Sequence, residues 1–526
     1  MIPTQDNRSI SVETPLGKDV LLLHTFTCRE ELGRPFELVL EMQSINQMID
    51  ADKILGQKVT VTVDLPQSGS RYFNGYVRDF ELTGYDSIHS LTSYRAVVVP
   101  WLSLLKLTTD CRTYINKTMP EIIGEVFGQF AFGDHRFNLT HRYVSREFCV
   151  QYRESAFDFV SRLMEFAGIY YYFEHENGNH TMVLCDSPSA HNPDLQYAVI
   201  PYRPTGDSLI GGVREWMVRE TLCSDKVVLD DYDYTQPKTS LLVSGDTTSE
   251  DDSKSKLEYF DAPGGFQDKA EGEGYARIRH EEMVCEKSIR RGSGNLLGIA
   301  AGRRFTLLGH MRLDQNAEYL VTAANLEITT PLFSTEQREL AQTKQTCSFS
   351  AMPATIPFRP KRTTPRPRIS GIQTAVVTGS ILEEIHTSSL GSVRVQFRWD
   401  RYGMSDQNSS IWIRVSQFSA GKTWGSMFIP HVGNEVAVAF EEGDPDRPVV
   451  VGSLYNAINI PPLPLPAEKQ LSCIVDSSKN ILLMKGVLGL EGVTIATPYQ
   501  QAQFSIGCGA APASTISEDE ASLAAL

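Results

Sequence analysis

The stretch Glu441 to Pro448, EEGDPDRP, packs four carboxylates (Glu441, Glu442, Asp444, Asp446) into six positions. Two carboxylates can divide acid and base work when burial drives their pKa values apart. Gly443 and Pro445 suit turn positions, however, Asp444 can bond its own backbone, and Arg447 supplies a counter-charge, all of which favours a shaped turn over a catalytic pair. Other patterns fall short of the chemistry they suggest. HEEMV at His280 has valine where a helical zinc site needs its second histidine, and HENGNH separates His175 from His180 across an expected turn. AGKT at 420–423 ends like a phosphate loop, yet Ser416 stands where the leading glycine belongs, and the run before it reads as a strand. RRGSGN around Ser293 lacks the first glycine of a nucleophile elbow. The expectation is a protein without catalytic residues, metal or cofactor.

The carboxylates lie between two apolar runs. Val436, Val438 and Phe440 alternate with Ala437 and Ala439, and Val449 to Val451 follow Pro448, which predicts a hairpin. It sits among about five short strands between 374 and 457, and five strands in so few residues fit a small barrel of the OB type. Such barrels often bind oligonucleotides, but this one holds six basic residues (Arg394, Arg398, Arg401, Arg414, Lys422, Arg447) against nine acidic ones. Over the whole chain of 526 residues the net charge is -15. Both figures disfavour nucleic acid as a partner, because phosphate binding rests on Lys and Arg.

Upstream, residues 8 to 115 alternate apolar and polar positions with turn punctuation, as in a sandwich or barrel. Thr118 and Glu121 form a capping box for a helix over 118–130, with Ile122, Val126 and Phe130 at helical spacing. A second helix opens at Ser155, with Asp158 three residues on and an apolar stripe through Phe157, Val160, Leu163, Met164 and Ala167. GIYYYFEHENGNHTMVLCD then reads as a hairpin turning at Asn177 and Gly178, its tyrosines belonging to a β core rather than a ligand stack. From about 208 to 350 the pattern is again β, with KVVLDDYDY, RRFTLLGH and AEYLVTAANLEIT as strands and TTSEDDSKSK as a charged loop.

FRPKRTTPRPR at 358–368 has no periodicity and reads as a stiff extended linker. The expected domains are therefore 1–200, 201–357, a linker at 358–373, the barrel at 374–457, a proline spacer at 458–470, a strand repeat at 471–509 and a small acidic tail at 510–526. The nine cysteines include no C-x-x-C pair and read as reduced thiols. The N-terminus lacks a signal-peptide pattern, and no apolar run approaches the length of a membrane span, so stable membrane insertion is not expected.

Several blocks, in order, resemble the VgrG family, the spike proteins of the bacterial type VI secretion system, related to contractile phage tail hubs. They are TPLGKDVLLLHTFTCREELGRPFEL, REFCVQYRESAFDFVSRLMEFAGIYYYFEH, YFDAPGGF, AGRRFTLLGH and the barrel run SSIWIRVSQFSAGKTWGSMFIPHVGNEVAVAFEEGDPDRPVVVGSLYN. The resemblance spans Ile10 to Gly509. It implies a mainly β fold with a few helices: two tandem phage-hub-like β-barrel domains, an OB barrel and the start of a triple-stranded β-helix, assembled as a homotrimer. It implies docking on the Hcp tube, a PAAR cap, baseplate partners, and a separate effector or adaptor near the C-terminus. The protein would be bacterial and cytoplasmic before firing, then secreted by the apparatus into a target cell or the medium. The motif residues are Gly433, Glu435, Gly443, Asp444, Pro445, Asp446, Arg447 and Pro448. Ile481, Val493, Ile495, Phe504 and Ile506 are the expected trimer contacts. His431 departs from the pattern, standing where the family commonly has arginine. Some relatives carry a lysozyme or effector domain, for which 458–470 and the residues after Cys508 leave no room; the expectation is then that cargo is a separate protein, or that the chain is a piece of a longer one.

Overall fold

The computed structural model describes residues 4–65, 69–193, 197–205, 211–246, 257–331 and 343–507. TTSEDDSKSK, Cys508 and the tail at 510–526 lie outside them. The chain divides into two units, Met1–Arg368 and Ile369–Leu526.

The first unit is organised by one large sheet. Its strands run, side by side, Ile10–Glu13, Lys58–Leu65, Gly69–Asp86, Leu91–Val99, Arg34–Ser44, Leu22–Glu31, Glu318–Thr329, Lys344–Pro353, Ser288–Gly294 and Val213–Glu220. Arg304–Leu308 attaches beside Glu318–Thr329, and Val199–Pro201 pairs in turn with Arg304–Leu308. The expected division at 200/201 does not interrupt this ladder: Leu22–Glu31 pairs antiparallel with Glu318–Thr329, Cys28 opposite Leu326. Strand alternation places Phe26, Leu38, Val61, Phe73, Phe305, Val321 and Phe349 in one shared core.

Between these strands lies a helical insert with its own core of Trp101, Ile122, Phe127, Phe159, Leu163 and Leu184. Helix Met119–Phe127 begins at the expected capping box, with the Glu121 N–H donating to Thr118 Oγ1 and the Thr118 N–H to Glu121 Oε2. Its last residue is Phe127, three short of the end the period suggests, so Phe130 falls beyond it. Helix Ala156–Ala167 is capped by Ser155 and terminated by Gly168 at φ +70°, a left-handed position where a Cβ would also meet Ile278 at 2.8 Å. The hairpin Tyr170–Glu176 with Asn179–Cys185 turns at Asn177 and Gly178. Tyr170, Tyr171 and Tyr172 are buried core residues.

Two further features differ from the sequence reading. Lys269–Cys285 is a helix of 17 residues in a segment expected to be β, capped by Asp268, which accepts the N–H groups of Ala270 and Glu271. Its buried positions are Gly272, Ala276, Arg279, His280 and Cys285, small or polar, so no apolar stripe announces it. The second is the start of the proposed linker. Arg359 is only 5% exposed: its guanidinium donates to the carbonyls of Gly168 and Asp186 and pairs with Glu281. The N–H groups of Thr363 and Thr364 donate to Glu165 Oε2, and Lys361 pairs with Glu286. Residues 359–364 are strapped to the first unit by charge-assisted bonds that a basic, proline-rich composition does not disclose.

Candidate functional site

In the second unit, strands Arg394–Phe397, Gln373–Thr378, Glu435–Phe440, Pro448–Leu454 and Arg414–Val415 form one sheet in that order. Its two edges meet: Val393 and Ile413 exchange both backbone hydrogen bonds, at 2.9 and 2.8 Å. The sheet therefore closes into a barrel around Ala375, Val377, Val395, Phe397, Val436, Val438 and Val450, all buried.

The acidic motif is the turn between Glu435–Phe440 and Pro448–Leu454, with Phe440 opposite Pro448. The Glu441 N–H donates to Arg447 O, the Asp444 N–H to Glu441 O, and the Arg447 N–H back to Asp444 O, each at 2.9 Å. Asp444 Oδ1 accepts the Asp446 N–H at 3.0 Å, and its other oxygen lies 4.0 Å from Arg447 Nε. Gly443, at φ +77°, presents its carbonyl to the N–H of Ile369. Glu441 pairs with Arg414 on a neighbouring strand. At the opposite end of Glu435–Phe440, Gly433 at φ +86° donates to Val377 O, and Glu435 accepts from Asn456 and pairs with Arg398. The Asn456 hydrogen bond, then Arg398, holds the Glu435 carboxyl below its ordinary value. Glu435, Glu441 and Asp444 are thus each bound to a cation, a side-chain amide or a backbone donor that shapes the hairpin. Pro445 and Pro448 stand in the same turn and at the first position of the following strand.

Farther along, Leu471–Val475, Ile481–Lys485, Gly492–Thr497 and Ala502–Gly507 form a four-stranded antiparallel meander. Its register puts Val493 opposite Ile506, and Ile495 opposite both Phe504 and Leu482. Leu482 in turn faces Ile474, and Met484 faces Val493. Directly paired residues share a face, so these seven apolar side chains lie on one side of the array. No second layer covers them among the described residues: Ile495 is 55% and Phe504 61% exposed. Ile481, expected in this group, pairs with Val475 and Ala496 and lies on the opposite face. That face becomes polar in the last two strands, where Thr494 and Ser505 hydrogen-bond. Ile474, Leu482 and Met484 were not singled out in the sequence; the alternation that marks them becomes readable only once the turn lengths fix the register.

Residues 29–332 match the family model of the phage tail baseplate hub, and residues 377–455 that of the type VI secretion system/phage-baseplate injector OB domain. The chain is 41% identical over 467 residues to the type VI secretion system spike protein VgrG1a of Pseudomonas aeruginosa, covering 88% of this chain and 72% of the relative. The chain belongs to the VgrG family of type VI secretion system spike proteins. VgrG1b of the same organism is 40% identical over 474 residues, covering 89% of this chain and 63% of the relative. More than a quarter of each relative thus lies outside the match. Among solved structures, the E. coli c3393 protein has the same fold, with a TM-score of 0.60 and 22% identity, covering 84% of this chain and all of that one. It is described as a type VI secretion component similar to the T4 bacteriophage tail proteins gp27 and gp5.

The remaining near-motifs of this VgrG chain have structural settings. Ala420–Gly421 pairs with Trp424–Gly425, so AGKT is a hairpin tip and not a strand-to-helix phosphate loop. Ser293 lies within strand Ser288–Gly294. His280 is buried in helix Lys269–Cys285. His175 and His180 are directly paired across their hairpin, a neighbourhood that helical spacing rules do not anticipate. His431 Nδ1 lies 3.2 Å from Glu384 Oε1, and the N–H of Val432 donates to Glu384 O, so the histidine ties the loop after Thr378 to the turn before Glu435. No helix among the described residues is long and apolar enough to cross a membrane.

Proposed function

We propose that the chain is one third of a homotrimeric spike that docks on the Hcp tube, carries a PAAR cap and delivers separate effector cargo. The observation that carries the trimer is the meander at 471–507. Its seven-residue apolar face is uncovered, and full burial of side chains of this size is worth about 1.5–3 kcal/mol each. Three copies turning that face toward a common axis would bury it, each chain supplying one wall of a needle and stability arising only on assembly. The face containing Val493, Ile495, Phe504 and Ile506 is chosen over that of Ile481 because it alone stays apolar through all four strands.

The motif hairpin, Gly433 to Pro448, then serves as a rigid edge of the barrel at the base of the needle. The domain limits stated from the sequence, 1–200 and 201–357 for the two hub parts, 374–457 for the barrel, 471–509 for the needle start and 510–526 for the tail, belong to the same proposal. So do secretion by the apparatus, baseplate contacts and the absence of catalysis. Native mass spectrometry of the purified chain tests the assembly: a trimer is expected at micromolar concentration, and a stable monomer would overturn it. Co-purification with an Hcp ring and with a cap protein, lost in a trimer-deficient variant, tests the partners.

A further inference from the structure

The hairpin Tyr170–Glu176 with Asn179–Cys185 is fastened to its surroundings by three buried imidazoles. Asn74, fully buried on strand Gly69–Asp86, donates its backbone N–H to His175 Nδ1 at 3.1 Å. Its side-chain oxygen bonds His180 Nδ1 at 2.9 Å, while its amide nitrogen donates to Val59 O and Thr60 Oγ1. His180 Nε2 accepts the backbone N–H of Trp101 at 3.0 Å. A backbone N–H can only donate, so His175 Nδ1 and His180 Nε2 carry no proton and both rings are neutral. At the base of the hairpin, His191 bridges Gly302 O and the Tyr170 hydroxyl, each at 2.8 Å.

We propose that these imidazoles form an acid-sensitive latch, whose protonation releases the hairpin from strand Gly69–Asp86 and from the turn at Trp101. A proton added to His175 Nδ1 or His180 Nε2 would point at the donor now being accepted, turning an attraction into a repulsion. The surroundings offer the resulting cations little. Glu30 Oε1 is 3.8 Å from His175 Nε2, but the carboxylate is already engaged by Arg71 at 3.0 Å. Arg71 and His180 itself both oppose charge on His175. Lys58 opposes charge on His180, against one favourable carboxylate, Asp134. Arg303 and Arg304 face His191, and Glu174 is shared between Arg136 and Arg303. Phe36, Phe73, Tyr76 and Phe173 fill the remaining space around the pair.

Burial, the largest cause, holds His180 down to about 3, His191 down to about 4, and His175 well below the ordinary 6.5. An opened hairpin takes up protons near 6.5, which the closed one refuses until far lower pH. The closed state therefore has its full stability above that value and loses it as pH falls. At pH 5 each imidazole favours opening by roughly thirtyfold relative to pH 8.

Hydrogen exchange on the full chain tests the latch, with protection corrected for the intrinsic pH dependence of exchange. Between pH 7.5 and 5.0 the amides of 170–185 should lose on the order of a thousandfold or more protection relative to those of barrel strand Glu435–Phe440. The double variant His175→Asn with His180→Gln keeps an acceptor for each backbone N–H without titrating in this range, and should cut that difference to about the thirtyfold that His191 alone contributes. Equal loss in both regions of the wild type, or an undiminished difference in the variant, would overturn the latch. If the variant does not fold, histidine NMR of the wild type decides: neutral rings for His175 and His180 at pH 5 support the latch, and protonation of both above pH 6 overturns it.

Discussion

The barrel at 373–454 and the strand array at 471–507 are built from the same material, short alternating strands rich in Val and Ile, and reach opposite outcomes. The barrel joins its own edges through Val393 and Ile413 and encloses Phe397, Val436, Val438 and Val450. The array is an antiparallel meander that leaves Val493, Ile495, Phe504 and Ile506 in contact with solvent. Closure satisfies both the backbone edge and the apolar face within one chain, whereas a meander satisfies only the interior ladders. One region is thus closed within its own chain, and the other keeps an uncovered apolar face, which the proposed trimer would bury.

This contrast can be broken at either end. Ile495→Asp would place a carboxylate on the assembling face of every copy, where burial without a partner costs several kcal/mol each. Trimer is expected to vanish in native mass spectrometry while the denaturation midpoint of the barrel stays unchanged; a persisting trimer would refute the chosen face. Phe397→Ala removes a buried ring stacked on Trp399 at 5.0 Å and close to Phe440. It should lower barrel stability by about 3–5 kcal/mol, followed by tryptophan fluorescence in denaturant, with no dependence on oligomeric state. Asp444→Ala leaves the Asp446 N–H without its acceptor in a part-buried turn. A loss of about 1–2 kcal/mol is expected in the same assay, and an unchanged midpoint would remove the shaping role assigned to the motif. Thr494→Val, on the polar face of the array, removes the bond to Ser505 and should shift trimer melting by about 0.5 kcal/mol or less.

Local signals were legible where chemistry acts over a few residues. The capping box at Thr118, the N-cap at Ser155, the Asn177–Gly178 turn and the five barrel strands all appear where composition and spacing place them. The acidic motif was legible as a turn because Gly, Pro and Asp have turn chemistry of their own. Helix Lys269–Cys285 was not legible, since it buries Gly272, Ala276 and Arg279 in place of an apolar stripe. The strap at Arg359 was hidden for a related reason: its partners are carbonyls and carboxylates distant in sequence, and a basic segment reads alike whether docked or free.

By itself the sequence determined which segments alternate, where the helices after Thr118 and Ser155 start, where turns fall and to which family the chain belongs, because these depend on side-chain type at short spacing. Only the tertiary structure decided that strands from 22–31 and 318–329 share one sheet, that His175 and His180 meet on Asn74, and that Ile481 turns away from Val493. Each depends on strand register and on long-range pairing, where a shift of one residue reverses every face and no local pattern records the partner.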